Sequence, residues 1–115
     1  IDVASAGEML VALDTGTDPR HISFAGPAKT ASEVRRAVAA GIVINLESRR
    51  ELEIALDAGR ELRLKPRLAI RVNPTFELKG AGMKMGGSAK QFGIDAEDVP
   101  ALCRSIDPAT ADLVG

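Results

Sequence analysis

A chain of 115 residues with a formal net charge of −1 is the size of one ordinary domain and gives no electrostatic case for binding nucleic acid or an anionic membrane. One cysteine, Cys103, excludes an internal disulfide, and one histidine, His21, leaves no His/Cys ligand set for a metal. With three Phe and no Trp or Tyr, the core has to be built from aliphatic side chains. No apolar run approaches the ~20 residues needed to span a bilayer and no signal-peptide pattern is legible, so a reducing, cytoplasmic setting is expected.

In chain order, short apolar, β-branched stretches alternate with helical patterns. A strand is expected at Ile1–Ala4, a helix at Ala6–Thr15, a strand at His21–Ala25 and a helix at Ala31–Ala40. Then come a strand at Ile42–Leu46, a helix at Arg49–Leu62, a strand at Arg67–Val72, a helix at Ala96–Ser105 and a strand at Ala111–Val114. Strand and helix alternating at this spacing is the pattern of βαβ units and a parallel sheet. Three helix starts, Ser5–Glu8, Thr30–Glu33 and Ser48–Glu51, have the S/T-x-x-E spacing of a capping box. Asp95 stands where a plain N-cap is expected for the fourth helix. Gly16 and Gly41 fall where a left-handed residue closes a helix. The stretch from Pro74 to Gly93, rich in Gly and Lys, is too long for an ordinary connection and reads as a flexible, basic lid or substrate-facing loop, the alternative being a flexible surface connection with no role.

Ligands bind at the C-terminal ends of parallel strands in barrels and open sheets. Four successive strand ends here carry polar or small residues: Asp2 to Ser5, Gly26 to Lys29, Asn45 to Ser48, and Arg71 with Asn73. Ser5, Glu8, Thr30 and Ser48 are also explained as helix caps. Arg71 follows Leu68-Ala69-Ile70 within an expected buried strand, where a guanidinium needs an anionic partner. Asp2 or Glu47 could supply it, and so could an anionic cofactor oxygen. His21 precedes its strand and lies on the wrong rim for catalysis, and Cys103 sits in a helix pattern as a packing residue. Neither G-x-x-x-x-G-K-[ST] nor a strand-borne G-x-G-x-x-G occurs, which leaves nucleotide binding without support.

Five motifs follow one another in order: Asp2-Val3-Ala4-Ser5-Ala6-Gly7-Glu8, Phe24-Ala25-Gly26-Pro27-Ala28-Lys29, Asn45-Leu46-Glu47-Ser48 with Glu51-Leu52, Arg71-Val72-Asn73-Pro74, and Gln91-Phe92-Gly93. Together they resemble the barrel domain of the fold-type III pyridoxal-phosphate decarboxylases, the group of diaminopimelate and ornithine/arginine decarboxylases with the alanine-racemase-like fold. The stretch from Asn73 to Gly87 is similar to a branch found with exosortase loci and antibiotic pathways, in which some members decarboxylate an aminoacyl group on a carrier protein. Gln91 and Gly26 depart from the Lys and Asn common at those places.

The resemblance implies a partial (β/α)8 TIM-type barrel, about four βα units of an α/β domain spanning residues 1–115. It implies pyridoxal phosphate as cofactor, with Asp2 near the ring and its lysine, Arg71 near the ring hydroxyl, and Ser5 and Glu8 in the adjoining motif. The family's Schiff-base lysine is not in this chain, so the segment is expected to be an inactive internal fragment with no catalytic residue of its own. Its full-length parent is expected to be a homodimeric lyase acting on an amino acid or an aminoacyl carrier. A non-catalytic relative that binds cofactor or a partner protein is the alternative, and an unrelated Rossmann-type domain is a third reading, disfavoured by the missing glycine fingerprint. The open strand edges and uncovered inner face predict that the isolated chain either self-associates or is stable only within its larger parent.

Overall fold

The computed structural model describes residues 1–74 and 92–115. Five short strands form a wholly parallel sheet in the order β1 (Asp2–Val3), β2 (Ser23–Phe24), β3 (Val43–Leu46), β4 (Arg67–Ile70) and β7 (Asp112–Leu113). Between them run α1 (Ala6–Asp14), α2 (Ala31–Ala40), α3 (Arg49–Leu62) and α4 (Val99–Ser105). A second parallel pair, β5 (Val72–Asn73) with β6 (Ile94–Asp95), branches off the end of β4. Among the described residues no helix is long and apolar enough to cross a membrane.

The strand register separates two faces. Val3, Phe24, Ile44, Leu68 and Leu113 pair across the sheet in one row, and the first four are buried. Against them pack Met9 and Ala12 of α1, Val34, Ala37 and Val38 of α2, Leu52, Ala55 and Ala58 of α3, and Leu102 of α4. Because strand side chains alternate between faces, the neighbouring row, Asp2, Ser23, Val43, Arg67 and Asp112, turns the opposite way and is only partly buried or exposed. Helices cover one face of a parallel sheet and the other face is polar. This is a segment of a (β/α)8-type barrel, with the polar row on its inner wall.

Local chemistry accounts for most boundaries. Thr30 and Glu33 make a full reciprocal capping box, and Gly41 closes α2 at φ 78°. Its neighbour Ile42 donates to the Ala37 carbonyl at 3.0 Å, the pattern in which a left-handed residue satisfies the last carbonyls. At the end of α3 the left-handed place falls to Arg63, with φ 54°. Four expectations are corrected. His21 belongs to a short 3-10 turn, Pro19–His21, because Asp18 caps it through the Arg20 N–H. The expected strand Arg67–Val72 breaks at Arg71 into β4 and β5. The fourth helix begins at Val99 rather than Ala96. Its N-cap position is Asp98, since Asp95 is held in β6. The Gly/Lys-rich loop read between Pro74 and Gly93 lies mostly outside the described residues.

Candidate functional site

The site is built at the C-terminal ends of β2, β3 and β4. The backbone leaving β3 places Glu47, whose side chain is only 3% exposed. Its Oε1 accepts the Gly26 N–H at 3.1 Å and the Arg71 guanidinium at 3.2 Å. Its own N–H donates to Glu51 Oε2 at 2.8 Å. Glu51, in the first turn of α3, also takes the Lys29 ammonium at 3.2 Å, with those two side chains 6% and 1% exposed. Lys29 donates in addition to the Gly26 carbonyl and lies 5.6 Å over the Phe24 ring. Two cations and two carboxylates thus form a continuous chain, Lys29, Glu51, Glu47, Arg71, running from beneath the rim up to it. Lys29, Glu51 and Glu47 are buried and Arg71 is half exposed, and a cation beside each carboxylate is what makes that burial tolerable.

Arg71 differs from the sequence expectation. It is not within a buried strand but at the exit of β4, its side chain 49% exposed. Of the two partners foreseen for it, Glu47 is the one observed. The Arg71 N–H donates to the Leu46 carbonyl and the Arg71 carbonyl accepts from the Ile94 N–H, while Phe92 sets its ring 5.4 Å from the guanidinium. Gly93 makes that close return possible. At φ 103° it lies so near that a Cβ there would stand 2.6 Å from the Arg71 carbonyl oxygen, a contact only glycine avoids.

Asp2 occupies a different part of the wall. It accepts the Ser23 hydroxyl, and Asn45 Nδ2 donates to that hydroxyl oxygen at 3.3 Å. The register sets Asp2 in the row of Arg67, four positions before Arg71 in its strand order, so the structure does not bring Asp2 and Arg71 into contact. Ser5 and Glu8 are joined to each other at the start of α1. Ser5 Oγ accepts the Glu8 N–H at 3.2 Å, and Glu8 Oε2 accepts the Ala4 N–H at 2.6 Å. Glu8 therefore reaches one residue past its cap, a variant of the expected box. Glu51 does the same at α3, taking the N–H of Glu47 instead of that of Ser48.

Sequence reasoning missed the Lys29–Glu51 pair and the part played by Ser23. Lys29 and Glu51 each stand in one of the five motifs and Glu51 also fits a capping box, but nothing in their spacing pairs the two. An open cleft of about 420 Å³ adjoins the array, lined by Glu47, Ser48, Arg49, Asp95 and Asp98 among others.

Comparison with known proteins places this geometry. Residues 1–115 match the family described as pyridoxal-dependent decarboxylase, pyridoxal binding domain. The L-glutamyl-[BtrI acyl-carrier protein] decarboxylase of Niallia circulans is 36% identical over 107 residues, 92% of this chain and 25% of that protein. The diaminopimelate decarboxylase of Zymomonas mobilis is 39% identical over 99 residues, 84% of this chain and 24% of its own. Among solved structures, diaminopimelate decarboxylase from M. jannaschii in complex with L-lysine superposes with a TM-score of 0.83 at 28% identity, over 99% of this chain and 27% of that one. The chain spans about a quarter of the length of the relatives it matches. A parallel sheet with a polar inner wall, a rim-borne arginine and a match along its whole length together show that the chain belongs to the pyridoxal-binding domain family of the pyridoxal-dependent decarboxylases.

Proposed function

We propose that this segment forms one wall of the cofactor pocket in a full-length decarboxylase that removes the carboxylate of an amino acid, free or carried on a protein, using pyridoxal phosphate. The carrying observation is the half-open Arg71 on the rim, beside an inner wall of Asp2, Ser23 and Asn45, in a chain of the pyridoxal-binding family. The donor set fits the cofactor. Arg71 spends NH1 on Glu47, and the remaining guanidinium N–H groups suit an anionic ring oxygen. Asp2 is an exposed carboxylate able to face a cationic nitrogen, whether on the ring or on a lysine.

Asp2 and Arg71 would hold the group directly. Ser5 and Glu8 would shape the turn after β1, since both are already engaged at the cap of α1. When bound, the cofactor supplies the electron sink for the bond broken as carbon dioxide leaves. Asp2, kept in place by the Ser23 hydroxyl, contributes a fixed negative charge, and Arg71 a fixed positive one, so little reorganisation is needed as charge moves.

The test is carbon dioxide release by the full-length protein supplied with pyridoxal phosphate. Diaminopimelate, ornithine, arginine and a glutamyl-carrier protein would be offered in parallel. Release from at least one is expected. Release only from the carrier would place the protein in the carrier-linked branch. Cofactor uptake with no release from any substrate would favour the non-catalytic alternative. The homodimer expected of the full-length protein is part of the same proposal, and sedimentation of that protein checks it.

A further inference from the structure

We propose that Glu47 is a positioning residue, acting on the cofactor through Arg71 by fixing the direction of its guanidinium. The inference rests on the reading that Arg71 meets the cofactor. Arg71 stands half in solvent at a strand exit, where a long side chain would otherwise sample many rotamers. Glu47 cannot move to meet it. Its side chain is buried, its Oε1 is held by the Gly26 N–H, and its backbone N–H is tied to Glu51, which Lys29 holds in turn. The carboxylate is thus a fixed anchor for the arginine.

The second carboxylate oxygen, Oε2, is buried with no hydrogen-bond partner among the described residues. A carboxylate left half-satisfied in the interior is costly, and its remaining counter-charge is Arg71. Lys29 neutralises Glu51, so Glu47 and Arg71 form the second neutral pair of the chain. The Phe92 ring, 5.4 Å from the guanidinium, restricts Arg71 further. An arginine preorganised in this way loses little freedom when an anionic oxygen binds.

The test uses the full-length protein, with pyridoxal phosphate affinity and the absorption spectrum of the bound cofactor as readouts. Glu47→Gln keeps the shape of the side chain and removes its charge. It is expected to weaken cofactor binding by about tenfold, the typical cost of losing a support behind a ligand-contacting group, and to change the bound-cofactor spectrum. On an Arg71→Met background, Glu47→Gln should cause no further loss. Unchanged affinity and spectrum in Glu47→Gln, or losses that multiply in the double variant, would overturn the proposal. Should Glu47→Gln fail to fold, Glu47→Asp takes its place, keeping the charge and shortening its reach. A smaller loss, again absent on the Arg71→Met background, is then expected, and wild-type affinity overturns it. If the wild-type protein takes up no pyridoxal phosphate, the cofactor reading itself falls and this inference with it.

Discussion

At the starts of α1, α2 and α3 a glutamate three residues after a hydroxyl could serve the cap or something else, and the difference lies in what surrounds it. Glu33 serves the cap, accepting the Thr30 N–H at 2.9 Å, and also takes the Ala6 N–H at 3.3 Å, which ties α1 to α2. Glu51 serves a buried lysine. The two were indistinguishable in sequence because the spacing is identical, and only the fold brings Lys29 within reach of one of them. Replacing Lys29 by Met would leave Glu51 and Glu47 buried with one cation between them. A loss of about 3 kcal/mol is expected, at the lower end for a broken buried pair because Glu51 keeps its backbone donor. Urea denaturation measures it, and a loss below about 1 kcal/mol would mean the pair behaves as a solvated one. Glu33 gives a pH-dependent prediction. The Thr30 N–H, helped by the Thr30 hydroxyl, the Ala6 N–H and nearby Arg36, holds its carboxyl below the ordinary value of 4.5. A group lowered in the folded state contributes stability that is present above that ordinary value and lost as pH falls through the lowered one. Wild type should therefore exceed Glu33→Gln in stability near neutrality, with the gap closing below about pH 4.5. A gap that does not change with pH would contradict this.

Among the elements, α2 and α3 were legible to the residue, because each has a capping hydroxyl and a long apolar stripe. The β5–β6 pair was not. Each strand is two residues long, and the two meet through the return at Gly93, which no periodicity announces. Helix α4 was placed early for the same reason, since Asp95 is drawn into β6 by pairing distant in sequence. Gly59 shows how packing can override propensity. In an exposed helix, alanine would be favoured over glycine by about 1 kcal/mol. Here a Cβ would lie 2.7 Å from Pro66 Cδ and 2.8 Å from the Leu64 carbonyl oxygen, in the turn that carries α3 into β4. Overpacking of that kind costs about 1–3 kcal/mol. Gly59→Ala is therefore expected to lower the thermal midpoint, and a rise would show that the turn yields freely.

For the molecule as a whole, alternation of strand and helix was enough to predict a parallel sheet, and ordered motifs pointed to the family. What the sequence did not disclose was the division of the wall. Asp2, Ser23 and Asn45 form one hydrogen-bonded group, and the Lys29–Glu51–Glu47–Arg71 chain supports the rim as another. That division depends on register across strands, which pairwise spacing along the chain does not encode. The central claim is that this wall holds pyridoxal phosphate through Asp2 and Arg71. Its most direct test is titration of the full-length apo-protein with pyridoxal phosphate, followed by absorbance, for wild type, Asp2→Asn and Arg71→Met. Stoichiometric uptake by wild type is expected, with affinity weakened by about tenfold or more in each variant, as for loss of a hydrogen bond to a charged group. Wild-type affinity in both variants would contradict the account.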